Sequence, residues 1–368
     1  MRPLLVAWLL LALPWTAHAE AMVRIAIAER LPSVAIRGER MRLRAMSDEG
    51  GYRPVEGGVV TLAPAQGGIR VEGAGLVSLV KGDPPSVKLR ADGPITVADK
   101  VVRGSVEIQE AGGSLVAINE IPMEAYLAAV LGSEMPPTFP AEALKAQAVA
   151  ARTYAIGKKI VAEGEAFHLG SSVLSQVYGG VNREDPRTLD AVRATEGEVL
   201  VFEHAPIEAY FFASCGGRTE DGLAALSRDL PYLTAHACPE KKDTPGASWT
   251  LHLSAAELGR RLGFAAPTTV RVVARTSTGR ARAVVLDTPK GARRVDAVTF
   301  RRKLGYSELK SLSFTVEPAG SGFRFKGKGS GHGAGMCQWG AAAAAGDGWD
   351  YRRILELYYP GTELRRMY

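Results

Sequence analysis

The sequence predicts an α+β fold: a β-rich N-terminal lobe, then a mixed α/β region, with a cleft between lobes. Three observations carry this. From Met22 to about Val116, short runs alternate apolar with polar residues and are cut by Gly, Pro and Asp, the period-two mark of half-buried strands. Residues 121–161 then carry two helical patterns separated by a proline-rich break. Beyond about 198, strand-like and helix-like runs are mixed, with no internal repeat. At 368 residues the chain is long enough for a large core in two or three lobes.

The first nineteen positions, MRPLLVAWLLLALPWTAHA, read as an export signal. Arg2 supplies the charge, Leu4 to Trp15 the apolar run, and Ala17-His18-Ala19 the small-residue cleavage site. The apolar run is too short to span a bilayer. The expected mature chain therefore has no membrane span and works in the periplasm or cell envelope. Removing the signal leaves 44 basic against 39 acidic residues. The basic residues are scattered, without the dense aromatic-interleaved runs of nucleic-acid binders. A mild positive balance suits an anionic envelope polymer.

The elements follow in order. VRIAIAE, VAIRG, GGVVTLAP, SVKLRA and GSVEIQEA are the strands of the first lobe, 20–117. Ile121-Pro122 starts a helix, proline being suited to the first position. It ends near Glu134, because Met135 precedes Pro136 and is biased away from helical dihedrals. A second helix runs from Pro140 to about Val161, with Leu144, Ala148, Ala151 and Ala155 as its buried stripe. Lys145, Val149 and Arg152 share a neighbouring face. Then come a helix over about Thr188 to Ala194, strand-like EVLVF and IEAYFFASCGG, and Ser254 opening a short helix as the start of a capping box with Glu257. TVRVVARTSTGRARAVVLD reads as a hairpin turning at Ser277 to Gly279. A helix near Ala297 to Leu304, strands LSFTVEP and FRFKGKG, an alanine helix and a last helix capped by Asp350 and stopped at Pro360 complete the chain.

Chemistry-bearing residues are few. Glu134 is a lone acid at a helix end, where the negative end of the macrodipole favours its protonated form; that suits a general acid near neutral pH, although this segment alone favours an ordinary solvated helix-end glutamate. The glycines at 327, 329, 331, 333 and 335 surround His332. They offer either backbone amides to an anion or close packing against another segment, with His332 a hydrogen-bonded wall residue. Of three cysteines, Cys215 and Cys238 can close a disulfide and leave Cys337 free, though other pairings are open. A thiol nucleophile based on Cys215 or Cys337 with His332 is the weaker reading, because a reactive free thiol oxidises in an exported protein. Glu142, in the first turn of its helix, reads as a dipole-stabilising acid.

Several separated blocks resemble the SpoIID/LytB family of peptidoglycan-active proteins: VVRGSVEI, IPMEAYLAAVLGSEMPPTFPAEALKAQAVAARTYAI, SQVYGG, FFASCGGRTED with PYL after it, and GSGHGAGMCQWGAAAAAGDG with ILELYYPGTEL. The resemblance places a SpoIID-like catalytic region at 118–368, with a β/α insertion at about 248–320. It implies a lytic transglycosylase that cuts glycan strands between N-acetylmuramic acid and N-acetylglucosamine, with Glu134 as catalytic acid and no cofactor. It implies that Lys145 and Arg152 line the cleft and that Gln176, Tyr178, Ser214, Gly216 and His332 contact substrate. Some family members bind zinc just before the Gln-Val-Tyr block; Leu174 and Ser175 stand there in this chain, so no zinc is expected at that place, and no metal is expected elsewhere in the chain. Cys337 occupies a position usually held by serine, which argues for packing. One Cys215–Cys238 disulfide is expected. The alternative function is a non-catalytic enhancer of a cell-wall amidase that binds peptidoglycan.

Overall fold

A computed structural model describes residues 21–47, 49–73, 76–171 and 176–368. The expected export signal and the pair Leu174 and Ser175 lie outside the described residues. The architecture is α+β. One sheet orders its strands Leu169–Gly170, Met22–Leu31, Ser114–Pro122, Ser105–Ala111, Ser86–Arg90, Arg42–Ala45 and Arg53–Pro54. A second orders Lys100–Val102, Ile95–Val97, Val34–Arg37, Val59–Ala65, Gly68–Gly73 and Leu76–Val80. The five expected strands are all present.

Strand Ser114–Pro122 was not expected. It lies between Met22–Leu31 and Ser105–Ala111, pairing antiparallel with both, with Ile25 opposite Asn119 and Glu107 opposite Ile118. Helix α1 (Met123–Glu134) therefore starts one residue later than the sequence suggests, and Pro122 is its N-cap in extended conformation. Residue Met135 is extended, as the following proline requires, and its N–H closes on Leu131.

Helix α2 (Ala141–Val161) has Pro140 as its N-cap. Its expected stripe is buried, but so is nearly every residue from Ala143 to Ile156, Lys145 excepted. Alanine at 143, 146, 148, 150, 151 and 155 lets neighbours close in on all sides. Those neighbours are α1, strand Glu198–Phe202, α3 (Pro186–Ala194) and, beyond the short α4 (Gly222–Leu226), the C-terminal helices. This core runs without a break from Val23 in the first sheet to Tyr359.

Residues 248–328 make a second core of their own. Strand Ser248–Ser254 pairs with Gly322–Lys328, and Phe314–Ala319 lies on its far side. Between them run α5 (Ala255–Leu262), the hairpin Thr269–Arg275 and Ala281–Thr288, a third strand Gly291–Asp296, and α6 (Ala297–Leu304). Ser254 caps α5 through the Glu257 N–H and Asp296 caps α6. Phe300, Phe314 and Phe325 cluster at its centre. The chain leaves and returns at one point, since Gly329 N–H donates to Ala247 O at 2.7 Å. Helices α7 (Gln338–Gly346) and α8 (Tyr351–Tyr358) then pack on α2, Asp350 capping the latter. Among the described residues no helix is long and apolar enough to cross a membrane.

Candidate functional site

Glu134 is the last residue of α1, with its side chain partly buried. Its Oε1 accepts the Val177 N–H at 2.7 Å. Burial raises its pKa above the ordinary carboxylate value, and the bonds from Val177 and the Gln338 side chain oppose that rise only in part. Desolvation is thus the leading cause, where the sequence suggested the helix dipole. No lysine or arginine among the described residues forms an ion pair with it. The group is an acid held without a cation.

Sequence reasoning passed over residues on α2 and α7. Gln338, the first residue of α7, donates through Nε2 to Gln147 Oε1 at 3.3 Å. Gln147 is fully buried on α2, and its own Nε2 has no hydrogen-bond partner among the described residues. The next residue after Gln338, Trp339, meets Phe139 edge to face at 4.7 Å. These two rings help line a surface pocket of about 300 Å³ with Lys241, Asp243 and Pro140. The sequence signal available was the glutamine and tryptophan of the MCQWG block, whose neighbours His332 and Cys337 drew the reading instead.

Several expected cleft residues serve the core. Arg152 has no exposed surface; its Nε and Nη2 donate to Glu124 at 2.8 and 2.6 Å, and Nη1 reaches Glu198 O at 3.1 Å. Its place is a buried clamp between α1, α2 and strand Glu198–Phe202, because α2 is enclosed on every side. Gln176 is likewise buried, accepting from Tyr126 OH at 2.8 Å and donating to Ala151 O at 3.1 Å. Tyr178 buries its ring beside Tyr126 and donates to Asn119 Oδ1 at 2.8 Å. Side chains 176 and 178 are both buried, and Glu134 receives the intervening Val177 amide. Lys145 is half-exposed but bonded to Glu142 at 2.7 Å. Glu142 also accepts the Tyr351 N–H at 2.9 Å, so it ties α2 to α8.

Of the two readings of the glycine loop, the structure supports packing. The Gly331 N–H donates to Lys310 O and the Met336 N–H to Tyr210 O, leaving neither for an anion. A Cβ at Gly335 would stand 2.0 Å from Tyr210 O, and φ there is +75°. His332 is a wall residue: Ala334 N–H donates to Nδ1, so Nε2 carries the proton and donates to Phe211 O at 3.0 Å. Burial lowers its pKa to about 4, which keeps it neutral.

Ser214 and Gly216 are both bonded to Glu240. Ser214 Oγ donates to Glu240 Oε1, and the N–H groups of Cys215 and Gly216 donate to Glu240 Oε2 at 2.9 and 2.8 Å. The expected Cys215–Cys238 disulfide is corrected by the fold: all three cysteines are free thiols. The reason is that Phe211–Phe212 pairs with Met336–Cys337, which brings the third cysteine to the same spot and leaves no isolated pair. Hydrogen bonds from Cys215 and Cys337 pull the Cys238 thiol down, while burial pushes Cys337 up.

A family model described as "Stage II sporulation protein" (SpoIID) matches residues 111–202, which include α1, α2 and Val177. A second, described as "Domain of unknown function (DUF8618)", matches 248–335, the separate core with the glycine loop. The chain is similar to an uncharacterized protein of Brachyspira hyodysenteriae, 34% identical over 267 residues and 71% of each chain. It is similar to the stage II sporulation protein D of Bacillus subtilis, 33% identical over 67% of this chain and 76% of that one. It is also similar to the amidase enhancer of Bacillus subtilis, 33% identical over 65% of this chain and 40% of that longer protein.

Proposed function

Because the chain belongs to the SpoIID/LytB family, we propose that it is an exported cell-wall enzyme, a lytic transglycosylase acting on peptidoglycan strands. Glu134 is its single catalytic acid. The observation that carries the reading is the environment of that carboxyl: partly buried, raised in pKa by burial, and touched by an amide and a glutamine rather than a cation.

One carboxyl is enough if the substrate supplies the nucleophile. Ordinary glycosidases need two carboxylates, the second to attack or to activate water. Here the protonated Glu134 gives its proton to the oxygen between muramic acid and glucosamine, and that bond breaks. The muramic acid 6-hydroxyl attacks C1 of its own ring, and Glu134 takes the hydroxyl proton. The products are a 1,6-anhydro end and a free 4-hydroxyl, and no water is consumed. An attached hydroxyl held in line is worth orders of magnitude in effective concentration. The partly buried Phe139–Trp339 pair offers an apolar ring edge to a sugar face.

Incubation with peptide-free glycan strands in heavy-oxygen water, followed by mass spectrometry, tests this. Anhydro ends without label are expected. Labelled reducing ends would make the protein a hydrolase. Similarity to an amidase enhancer favours a second reading, a peptidoglycan-binding partner of a cell-wall amidase; strand binding without any product, and faster amidase turnover on addition, would support it.

A further inference from the structure

We propose that Cys215, Cys238, Glu240 and Cys337 form a structural zinc site that fixes the start of α7. One ligand atom from each lies within 4.8 Å of all the others. With zinc–sulfur bonds of about 2.3 Å, sulfurs at the corners of a tetrahedron stand about 3.8 Å apart, so the four groups close on a metal with small shifts. Three thiolates and one carboxylate fill four corners and leave no open position, the mark of a structural rather than catalytic site. Soft sulfur donors select zinc over magnesium, calcium or manganese.

The surroundings suit thiolates. Gly217 N–H donates to Cys215 Sγ at 3.2 Å, and Gly340 N–H to Cys337 Sγ at 3.3 Å. Cys215 N–H also donates to Cys337 Sγ at 3.2 Å, although the two residues are 122 apart in sequence. The Tyr358 hydroxyl lies 3.2 Å from Cys238 Sγ. Such outer bonds orient ligands and stabilise their charge. Glu240 is aimed by Ser214, Cys215 and Gly216. The buried Arg280 guanidinium, held by the carbonyls of Cys215 and Arg218, offsets part of the negative charge. Gly340 adds a constraint of space: a Cβ there would stand 2.3 Å from Cys238 Sγ.

All the cysteines of the chain meet here, drawn from three segments. This departs from the expectation of no metal. The site does not depend on the enzymatic reading, but it bears on it. Cys337 is followed by Gln338, whose side chain bonds Gln147 on α2 at 3.3 Å, so the metal would fix the start of α7 against the helix that packs on α1.

The full-length mature chain, reduced, loaded with zinc alone and desalted, is expected to retain about one zinc ion per molecule by elemental mass spectrometry. Cys238→Ser, Cys337→Ser and Glu240→Gln, each lacking one proposed ligand, are expected to retain less than about a tenth of that. Should the serine variants fail to fold, cobalt loading of the wild type decides: thiolate-to-cobalt charge-transfer bands with tetrahedral ligand-field bands are expected. No retained metal, retention undiminished in both serine variants, cobalt spectra lacking thiolate bands, or a Cys215–Cys238 disulfide whose reduction yields no zinc binding would each overturn the proposal.

Discussion

A guanidinium with no exposed surface must find an acceptor for each of its five N–H groups, and Arg152 does so with both oxygens of Glu124, two carbonyl groups and the Thr195 hydroxyl. Removing it leaves Glu124, already held by Tyr368 and the Gly197 N–H, with an uncompensated charge against the core. Arg152→Leu is expected to cost about 3 kcal/mol in urea unfolding, with unchanged KM in whatever folded protein remains; a raised KM at unchanged stability would return Arg152 to the cleft. His332 makes a pH prediction. Its pKa is lowered from 6.5 to about 4 by burial, so its neutral form belongs to the folded state. The stability it contributes is complete above 6.5 and is lost as pH falls towards 4. His332→Gln should therefore flatten the acid side of a Tm-against-pH curve, reducing its slope by the share of one proton, since half-buried His168 and His236 titrate in the same sense.

At the scale of elements, α1 is placed by contact with backbone. A Cβ on Gly132 would fall 1.7 Å from Arg183 O, so Gly132→Ala must push α1 away from the 181–183 turn. The expected loss is about 1–3 kcal/mol in thermal or urea unfolding, with a larger proportional loss of activity, because Glu134 lies two residues on. Stability unchanged by this substitution would mean that α1 is not held there. Elements with local chemistry were legible: the hairpin about Gly279, and the caps Ser254 and Asp350, depend on residues within one turn of each other. Strand Ser114–Pro122 was hidden because its partners lie ninety positions upstream as well as next door, and because the proline at its end reads locally as a helix start. The site divides the same way. Glu134 at a helix end is visible in sequence, and family resemblance gives it a role. That resemblance also drew in Arg152, Gln176 and Tyr178, but a motif cannot say which of its side chains face inward. Gln338 and Gln147 meet only through the packing of α7 on α2.

For the whole molecule, the two hydrophobic cores make a claim about autonomy. Residues 248–328 enter and leave on antiparallel neighbours and surround their own phenylalanine cluster. A fragment of residues 247–329 is expected to unfold cooperatively by circular dichroism, and Phe300→Ala within it to cost about 3–5 kcal/mol. A fragment without a transition would show that this core depends on the rest of the chain. Polar contacts tie the parts together: Thr276 and Thr278 donate to Glu220, and Arg280 reaches two carbonyls beside the sulfur cluster.

The central claim is that one partly buried carboxyl at the end of α1 is the proton donor for glycan cleavage. The direct measurement compares wild type with Glu134→Gln on peptide-free glycan strands at equal folded concentration, counting anhydro-muramic ends by mass spectrometry. The account predicts a loss of roughly 10²–10⁴-fold in a variant whose Tm at neutral pH is no lower, since a carboxyl raised in pKa by burial destabilises the fold once ionised. Product formed by the folded variant at the wild-type rate would contradict it.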